Sequence, residues 1–180
     1  MSFAFASDRA RRVASLVVLM VGCAATAASN GPLFGPGLSA DEGPMTLTLS
    51  SSAPDAQVPF SALLDAQAPL TEGSGEVGVQ VELDPGAVLG LSFGLSSDVT
   101  GESNSTDIID PSAQDQARVG IEAFAGCSGD SACEEGFSAT FALIGEGEGE
   151  LEVTWYVDAS VSLELAEDEE PTGSLTLTVP

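Results

Sequence analysis

Apolar and polar side chains alternate with a period of two along most of the chain from Met45 onward. Between Val77 and Leu83, for example, an apolar residue occupies every odd position, with glycine, glutamine and glutamate between them. This period is typical of a β-strand that buries one face and exposes the other. The chain contains eight such runs, whose apolar positions begin at Met45, Val58, Val77, Leu89, Val119, Phe137, Leu151 and Leu175.

The runs together predict the class of fold. They are separated by clusters of glycine, proline, aspartate and serine, and no segment shows a convincing helical period. The sequence therefore predicts an all-β protein, a two-sheet antiparallel β-sandwich of the Ig-like or jelly-roll type with about eight strands. Pro59 marks the run from Val58 to Leu64 as an edge strand. The turn signal Asp84-Pro85-Gly86 predicts a hairpin between the Val77 and Leu89 runs.

The longest alternating run extends from Glu150 to Leu165. At about 3.3 Å per residue it would be roughly 50 Å long, which is far longer than a usual strand. We therefore expect it to bend near Asp158-Ala159-Ser160 and to pass from one sheet to the other. Trp155, at an apolar position of this run, is predicted to anchor the core.

The N-terminal part of the chain differs from the rest and predicts three regions. Residues 1–22 have a basic start with three arginines and then a short apolar stretch from Val13 to Gly22, as in a secretory signal peptide. That stretch is too short to cross a bilayer as a helix. Residues 23–44 are rich in Ala, Gly, Pro and Ser and predict a flexible linker, and residues 45–180 form the β-sandwich domain.

The end of the apolar stretch, Leu19-Met20-Val21-Gly22-Cys23, resembles a bacterial lipobox. Methionine stands at position 20, where that motif usually has leucine. The resemblance implies that Cys23 is diacylated and anchors the protein in the membrane, on the extracytoplasmic side of a bacterial cell envelope. Ordinary signal-peptidase cleavage after Ala25-Thr26-Ala27 is the alternative, and it would release a secreted protein.

The net charge of the protein limits the classes of partner that it can bind. The chain has 28 acidic residues against four arginines, with no histidine, and its formal net charge is −24. Loss of residues 1–22 would remove Asp8 and three arginines and leave 27 acids against Arg118 alone, a net charge of −26. Nucleic-acid binding depends on basic side chains that displace counterions, so no nucleic-acid partner is expected. The expected partners are cations or basic proteins, which such a surface attracts, and a saline medium would screen its self-repulsion.

The composition also limits the chemistry. Without histidine or lysine the chain cannot assemble a Ser-His-Asp, Cys-His or Ser-Lys nucleophile system. A hydrolase that uses two carboxylates remains chemically possible, but nothing distinguishes one acidic pair from the others. We therefore predict no catalytic residues and no enzyme activity.

Two further features are candidate sites. Cys127 and Cys133 bracket the segment CSGDSAC and predict a disulfide that closes a short loop, worth about 2 kcal/mol in the chain-entropy model. Ser97 to Gln116 lacks alternation and predicts a long loop. Its carboxylates could supply calcium ligands, although a solvated loop explains them as well. The candidate ligands are Asp98, Glu102, Asp107 and Asp110.

These observations predict an acidic β-sandwich lipoprotein of the cell envelope, or an exported form of it, that acts as a non-catalytic binding or structural module. The alternative is a secreted calcium-binding module of the adhesion type. No cofactor is expected apart from calcium. The sequence does not identify a protein or carbohydrate ligand.

Overall fold

The computed structural model of the protein describes residues 33–34, 37–83, 90–165 and 169–180. The regular elements in these ranges are all β-strands. They also contain no helix with the length and apolar character needed to cross a membrane. In chain order the strands are β1 Leu33–Phe34, β2 Leu38–Ser50, β3 Asp55–Ala66, β4 Leu70–Leu83, β5 Gly90–Ser97, β6 Ser103–Ile108, β7 Gln116–Ala123, β8 Ala132–Ile144, β9 Glu148–Leu163 and β10 Gly173–Thr178.

The strands form two antiparallel sheets, which confirms the predicted β-sandwich. In the first sheet β9 lies between β2 and β4, β7 borders β4, and β1 pairs with the last residues of β9. The second sheet has the order β10-β3-β8-β5-β6. Among β2 to β9 the first strand pairs with the last, β3 with β8, β4 with β7, and β5 with β6. This nested pairing is that of one long hairpin wrapped around a core, and it defines the jelly roll of the two predicted types.

Each of the eight alternating runs forms a strand whose described apolar side chains face the space between the sheets, and Leu89 lies outside the described residues. Trp155 of β9 is fully buried, as predicted. Its ring contacts Phe60 of β3 edge to face at a centroid distance of 6.3 Å, and Phe60 stacks on Phe137 of β8 at 5.4 Å. These aromatic contacts connect the first sheet to the second through the middle of the core.

The prediction that the longest run changes sheets is wrong. β9 stays in the first sheet for its whole length, from Glu148 to Leu163. Its two sides explain why so long a strand persists. β4 pairs with it from Leu70 to Leu83, whereas β2 and then β1 cover the other side in succession. Backbone hydrogen-bond partners are therefore present along almost the whole strand. Because the N–H and C=O groups of β9 are satisfied within the first sheet, the strand continues there for its full length.

The predicted hairpin between the Val77 and Leu89 runs is also wrong. β4 belongs to the first sheet and β5 to the second, so the chain crosses the sandwich between them. Asp84-Pro85-Gly86 itself lies outside the described residues. A turn signal shows that the chain changes direction, but it does not show to which sheet the next strand belongs.

The predicted linker, residues 23–44, is wrong over part of its length, because it contains β1, which pairs with β9, and because residues 38–44 belong to β2. Gly43-Pro44, part of the linker signal, lies where the register between β2 and β9 shifts. Gly43 has a φ of +130°, and a Cβ there would lie 2.7 Å from the carbonyl oxygen of Val153. Glycine is therefore required at this β-bulge, and the Gly-Pro pair marks an irregular edge strand rather than a linker.

The prediction for Pro59 holds for only part of its strand. β3 lies between β10 and β8, so it is not an edge strand as a whole. β10, however, pairs only with residues 61–66 of β3. Pro59 therefore lies in the half of β3 that has β8 alone as a neighbour, where its missing N–H can be tolerated.

The long loop predicted from Ser97 to Gln116 contains a strand, β6, which pairs with β5. Only Ile108 of β6 is buried. A strand at the margin of a sandwich can be exposed on both faces, so it shows no alternation of apolar and polar residues. This is why the pattern did not predict it.

Candidate functional site

The single cation of the described residues lies in a side-chain cluster on the outer face of the first sheet. We call Glu76, Arg118 and Tyr156 the Arg118 cluster; they come from β4, β7 and β9. Arg118 Nη2 donates to Glu76 Oε1 at 3.0 Å and Arg118 Nε donates to the Tyr156 hydroxyl at 2.6 Å. The hydroxyl in turn donates to Glu76 Oε1 at 2.8 Å. The guanidinium carbon lies 3.9 Å from the centre of the tyrosine ring, a cation–π contact.

Two glycines make room for this cluster. Gly78 of β4 is the cross-strand partner of Tyr156, and a Cβ at Gly78 would overlap the tyrosine ring. Gly120 of β7 has the same role for Glu76, because a Cβ there would lie 2.6 Å from Glu76 Oε1. The tyrosine ring and the glutamate side chain can therefore lie flat against the sheet, within reach of Arg118.

Hydrogen bonds and burial shift the pKa values of all three side chains. The Tyr156 hydroxyl and the Arg118 guanidinium hold the pKa of Glu76 below its ordinary value of 4.5. The same two partners, Tyr156 first and Glu76 second, raise the pKa of Arg118. Burial, together with the Glu76 carboxylate, raises the pKa of Tyr156 to about 12, although the hydrogen bond from Arg118 acts in the opposite direction. The neutral tyrosine hydroxyl therefore connects the two charged side chains, since it accepts from Arg118 and donates to Glu76.

We expect spectrophotometric titration to find Tyr156 ionising at about pH 12 rather than at its ordinary value of 10.0. Tyr156 is the only tyrosine, so tyrosinate absorbance reports this residue alone. Because the folded pKa is raised, the stabilising contribution of Tyr156 is complete below pH 10.0 and is lost as the pH rises toward 12. Glu76→Gln should lower this pKa, since it removes a charge that disfavours tyrosinate.

Glu82→Gln is the matched control for this titration, because Glu82 is an exposed acid of the same strand that is not part of the Arg118 cluster. Fluorescence of the sole tryptophan, Trp155, shows whether the protein is still folded at each pH. Ionisation at the ordinary pKa in folded protein, or equal effects of the two variants, would contradict the assignment.

Carboxylates surround the Arg118 cluster. We call the exposed acids of the first sheet's outer side the acidic face; they are Asp41, Glu72, Glu76, Glu82, Glu122, Glu148, Glu150, Glu152 and Asp158. Several of them stand directly opposite one another on neighbouring strands. The opposed pairs are Glu82 with Glu152, Glu76 with Asp158, and Glu76 with Glu122. Like charges in such positions destabilise a sheet, so the Arg118 cluster offsets only part of the repulsion.

The structure does not bring the four candidate calcium ligands together. Asp98 and Glu102 flank the turn before β6, Asp107 lies within this strand, and Asp110 follows it. Six residues of strand separate the two ends by about 20 Å, which is too far for one coordination sphere. Within the described ranges, no group of three or more acids, cysteines or histidines is arranged to hold a metal ion.

Asp110 has a local role instead. Its carboxylate accepts hydrogen bonds from the backbone N–H and the hydroxyl of Ser112, and its carbonyl oxygen accepts from the N–H of Ala113. The Ser112 bonds lower the pKa of Asp110. This side chain therefore stabilises the turn that follows β6, as aspartate often does at the start of a turn.

The predicted disulfide is present between Cys127 and Cys133, with a Cα–Cα distance of 5.9 Å. It joins the β7–β8 connection, which contains Cys127, to Cys133 near the start of β8. The enclosed loop also packs against the start of β4. Gly129 N donates to the Leu70 carbonyl at 2.7 Å, and Leu70 N donates to the Asp130 carbonyl at 3.0 Å.

A buried carboxylate near the disulfide was missed by the sequence analysis. Glu135 of β8 is only 3% exposed, and its Oε2 accepts a hydrogen bond from the backbone N–H of Phe124 at 2.8 Å. Phe124 has a φ of 65°, a left-handed conformation that costs a non-glycine residue about 1–2 kcal/mol. The signal was available, since Glu135 falls at an inward position if the alternation of Phe137 and Ala139 is continued toward the N-terminus.

Cys23, the predicted lipid attachment site, lies outside the described residues, as do the predicted signal peptide and its alternative cleavage site after Ala27. Lipidation of Cys23 therefore remains a prediction from the sequence.

Comparison with known proteins gives little further information. No protein-family model matches the chain, and a search of curated proteins finds no match either. Among solved structures, a chain of the cryo-EM structure of Broad Bean Stain Virus is similar at 12% sequence identity. The similarity covers 88% of this chain and 94% of the viral one, with a TM-score of 0.33. At that score the likeness carries no argument about function.

Proposed function

We propose that the protein is an exported, non-catalytic binding or structural module, anchored by a lipid at Cys23 on the extracytoplasmic side of a bacterial membrane. The observation that carries the proposal is the Cys127–Cys133 disulfide, which closes the β7–β8 connection. Disulfides of this structural kind form and persist outside the reducing cytosol. The lipobox-like sequence before Cys23 supplies the anchor, and the jelly roll supplies the exposed module.

The acidic face supports a role at the surface of the module. Its carboxylates are exposed, and the one nearby cation, Arg118, is engaged by Glu76 and Tyr156. Such a surface attracts inorganic cations and basic proteins and repels anionic polymers. The proposal includes no catalytic step, because the chain has neither histidine nor lysine and its described carboxylates lie on open sheet faces, in turns or in the structural contact at Phe124.

Expression of the full chain in a bacterium, followed by fractionation and mass spectrometry, tests the proposal. We expect the protein to sediment with membranes, with an acylated N-terminal Cys23 and an oxidised Cys127–Cys133 pair. Cys23→Ser should lose the acyl group and the membrane association. Ala27→Asp, which spoils the alternative cleavage site, is the control and should leave both unchanged.

Two results would contradict the proposal. An unmodified N-terminus at Ala28 in the soluble exported fraction would favour the secreted alternative. Reduced thiols at positions 127 and 133 in freshly isolated protein would contradict export itself.

A calcium-dependent rise in melting temperature would be needed to support the calcium-binding alternative, since ligands that bind only the folded state stabilise it.

A further inference from the structure

The chain joins the sandwich at one end of the first sheet. Leu33 of β1 pairs with Leu163, the last residue of β9. Leu163 also pairs with Leu70 at the start of β4, and both backbone groups of Leu70 form hydrogen bonds with the loop that the disulfide closes. We call this the entry end of the sandwich. β9 begins at Glu148, at the opposite or far end, which is about 50 Å away at the usual rise per strand residue.

The stretch of chain between the predicted lipid site and the entry end is short. Only residues 24–32 lie between Cys23 and Leu33. Even a fully extended chain of this length spans at most about 35 Å. An acylated Cys23 therefore keeps the entry end within that distance of the lipid headgroups. An upright molecule cannot turn its far end toward the bilayer, because the chain would then have to run about 50 Å back along the sandwich.

Charge disfavours a molecule that lies flat on the membrane. A leaflet with anionic lipids repels carboxylates, and the acidic face covers the outer side of the first sheet. The second sheet is no better suited, because Asp55, Asp65 and Glu134 are exposed on its outer side. An upright molecule keeps most carboxylates farther from the headgroups than the Debye length, which is about 8 Å at physiological salt. Asp130 and Glu164, exposed at the entry end, should hold that end above the headgroups rather than among them.

We propose that the anchored protein stands upright on the membrane, with the entry end and its disulfide loop toward the bilayer and the far end directed away from it. This orientation rests on the lipid anchor proposed above. It makes the far end and the sides of the sandwich the surfaces that partners can reach, whereas the disulfide loop faces the headgroups. The far end includes the β2–β3 and β8–β9 turns and the exposed side chains of Ile109 and Ile144.

Fluorescence energy transfer from a protein label to acceptor-labelled lipids tests the orientation. Ser39→Cys and Thr48→Cys are a matched pair, because both residues are exposed on β2 and neither substitution changes the charge. Ser39 pairs with Asp158 toward the entry end and Thr48 pairs with Glu150 toward the far end, so the labels lie about 26 Å apart along the sheet. In the acylated protein with its disulfide formed, the introduced cysteine is the only free thiol.

We expect the acylated protein, purified from a bacterium that expresses the full chain and bound to phosphatidylcholine–phosphatidylglycerol vesicles, to show severalfold more transfer from position 39 than from position 48. An insertion of about 15 Gly and Ser residues after Ala27 should reduce this difference, because the longer tether can span the length of the sandwich. Equal transfer from the two positions, as in a molecule lying flat, or more transfer from position 48 would overturn the orientation.

Failure of the orientation can be distinguished from failure of the proposed function. Protein without an acyl group at Cys23 would not bind the vesicles, and that result would contradict the anchor and the orientation together. Acylated protein that binds the vesicles but transfers energy equally from both positions would leave the anchor intact and contradict the orientation alone.

Discussion

Glu135→Ala is expected to lower the free energy of unfolding by about 2 kcal/mol, because it leaves a buried backbone N–H without its charged acceptor. That N–H belongs to Phe124, whose side chain is fully buried and whose backbone is left-handed. The carboxylate thus holds the end of β7 in a costly conformation that keeps the phenyl ring in the core. Denaturant unfolding of the full chain, followed by Trp155 fluorescence, measures the change.

Glu134→Ala is the matched control. Glu134 precedes Glu135 in the same strand, but it is exposed and accepts a hydrogen bond from the hydroxyl of Ser61. Its removal should change stability by less than about 0.5 kcal/mol. Glu135→Gln keeps an acceptor oxygen, so its free energy of unfolding should fall by less than that of Glu135→Ala. Equal losses for Glu134→Ala and Glu135→Ala would show that the Phe124 contact contributes little.

The alternation of apolar residues was sufficient to predict the fold class. Each apolar run faces the space between the sheets, and a period of two leaves little choice of face for a strand that is buried on one side. The residues that the alternation missed are those whose environment differs from a half-buried strand. β6 is exposed on both faces, and Gly43-Pro44 interrupts β2 as a bulge.

Pairing between strands could not be predicted from the same pattern. Asp84-Pro85-Gly86 indicated a turn, yet the strands on either side of it belong to different sheets. The length of β9 is explained by its partners, because β4 on one side and β2 and β1 on the other supply hydrogen bonds to nearly all of it. Contacts of this kind are distant in sequence, and they depend on which strands meet.

The Arg118 cluster shows the same limit. The sequence identified Arg118 as the only basic residue after the leader, but Glu76 and Tyr156 lie 42 and 38 positions away from it. Gly78 matters because it is the partner of Tyr156 on the neighbouring strand, 78 positions away in the sequence from Tyr156. The disulfide, in contrast, could be predicted because Cys127 and Cys133 are close in sequence. Local features of the candidate site were therefore predictable, whereas features that depend on register were not.

Raising NaCl from 0.01 M to 1 M is expected to increase the free energy of unfolding by about 2 kcal/mol, since this change shortens the Debye length from about 30 Å to about 3 Å. Each opposed carboxylate pair on the acidic face costs up to about 1 kcal/mol when unscreened. Salt also weakens the Arg118–Glu76 ion pair, but that pair is half exposed, at 55% and 54%, and such pairs contribute at most about 1 kcal/mol. The repulsion is the larger effect, so the net change should be stabilising.

Glu152→Gln separates this cross-strand repulsion from general effects of salt. Glu152 faces Glu82 directly, so the variant should be more stable than the wild type in low salt and should gain less from added salt. Glu134→Gln is the control, because Glu134 faces Leu63 on β3 and has no acid opposite it there. Sucrose at matched osmolality should not reproduce the difference between the two variants. A Glu152→Gln protein that is less stable than the wild type in low salt would show that packing or hydrogen bonding, rather than repulsion, determines the stability of the acidic face.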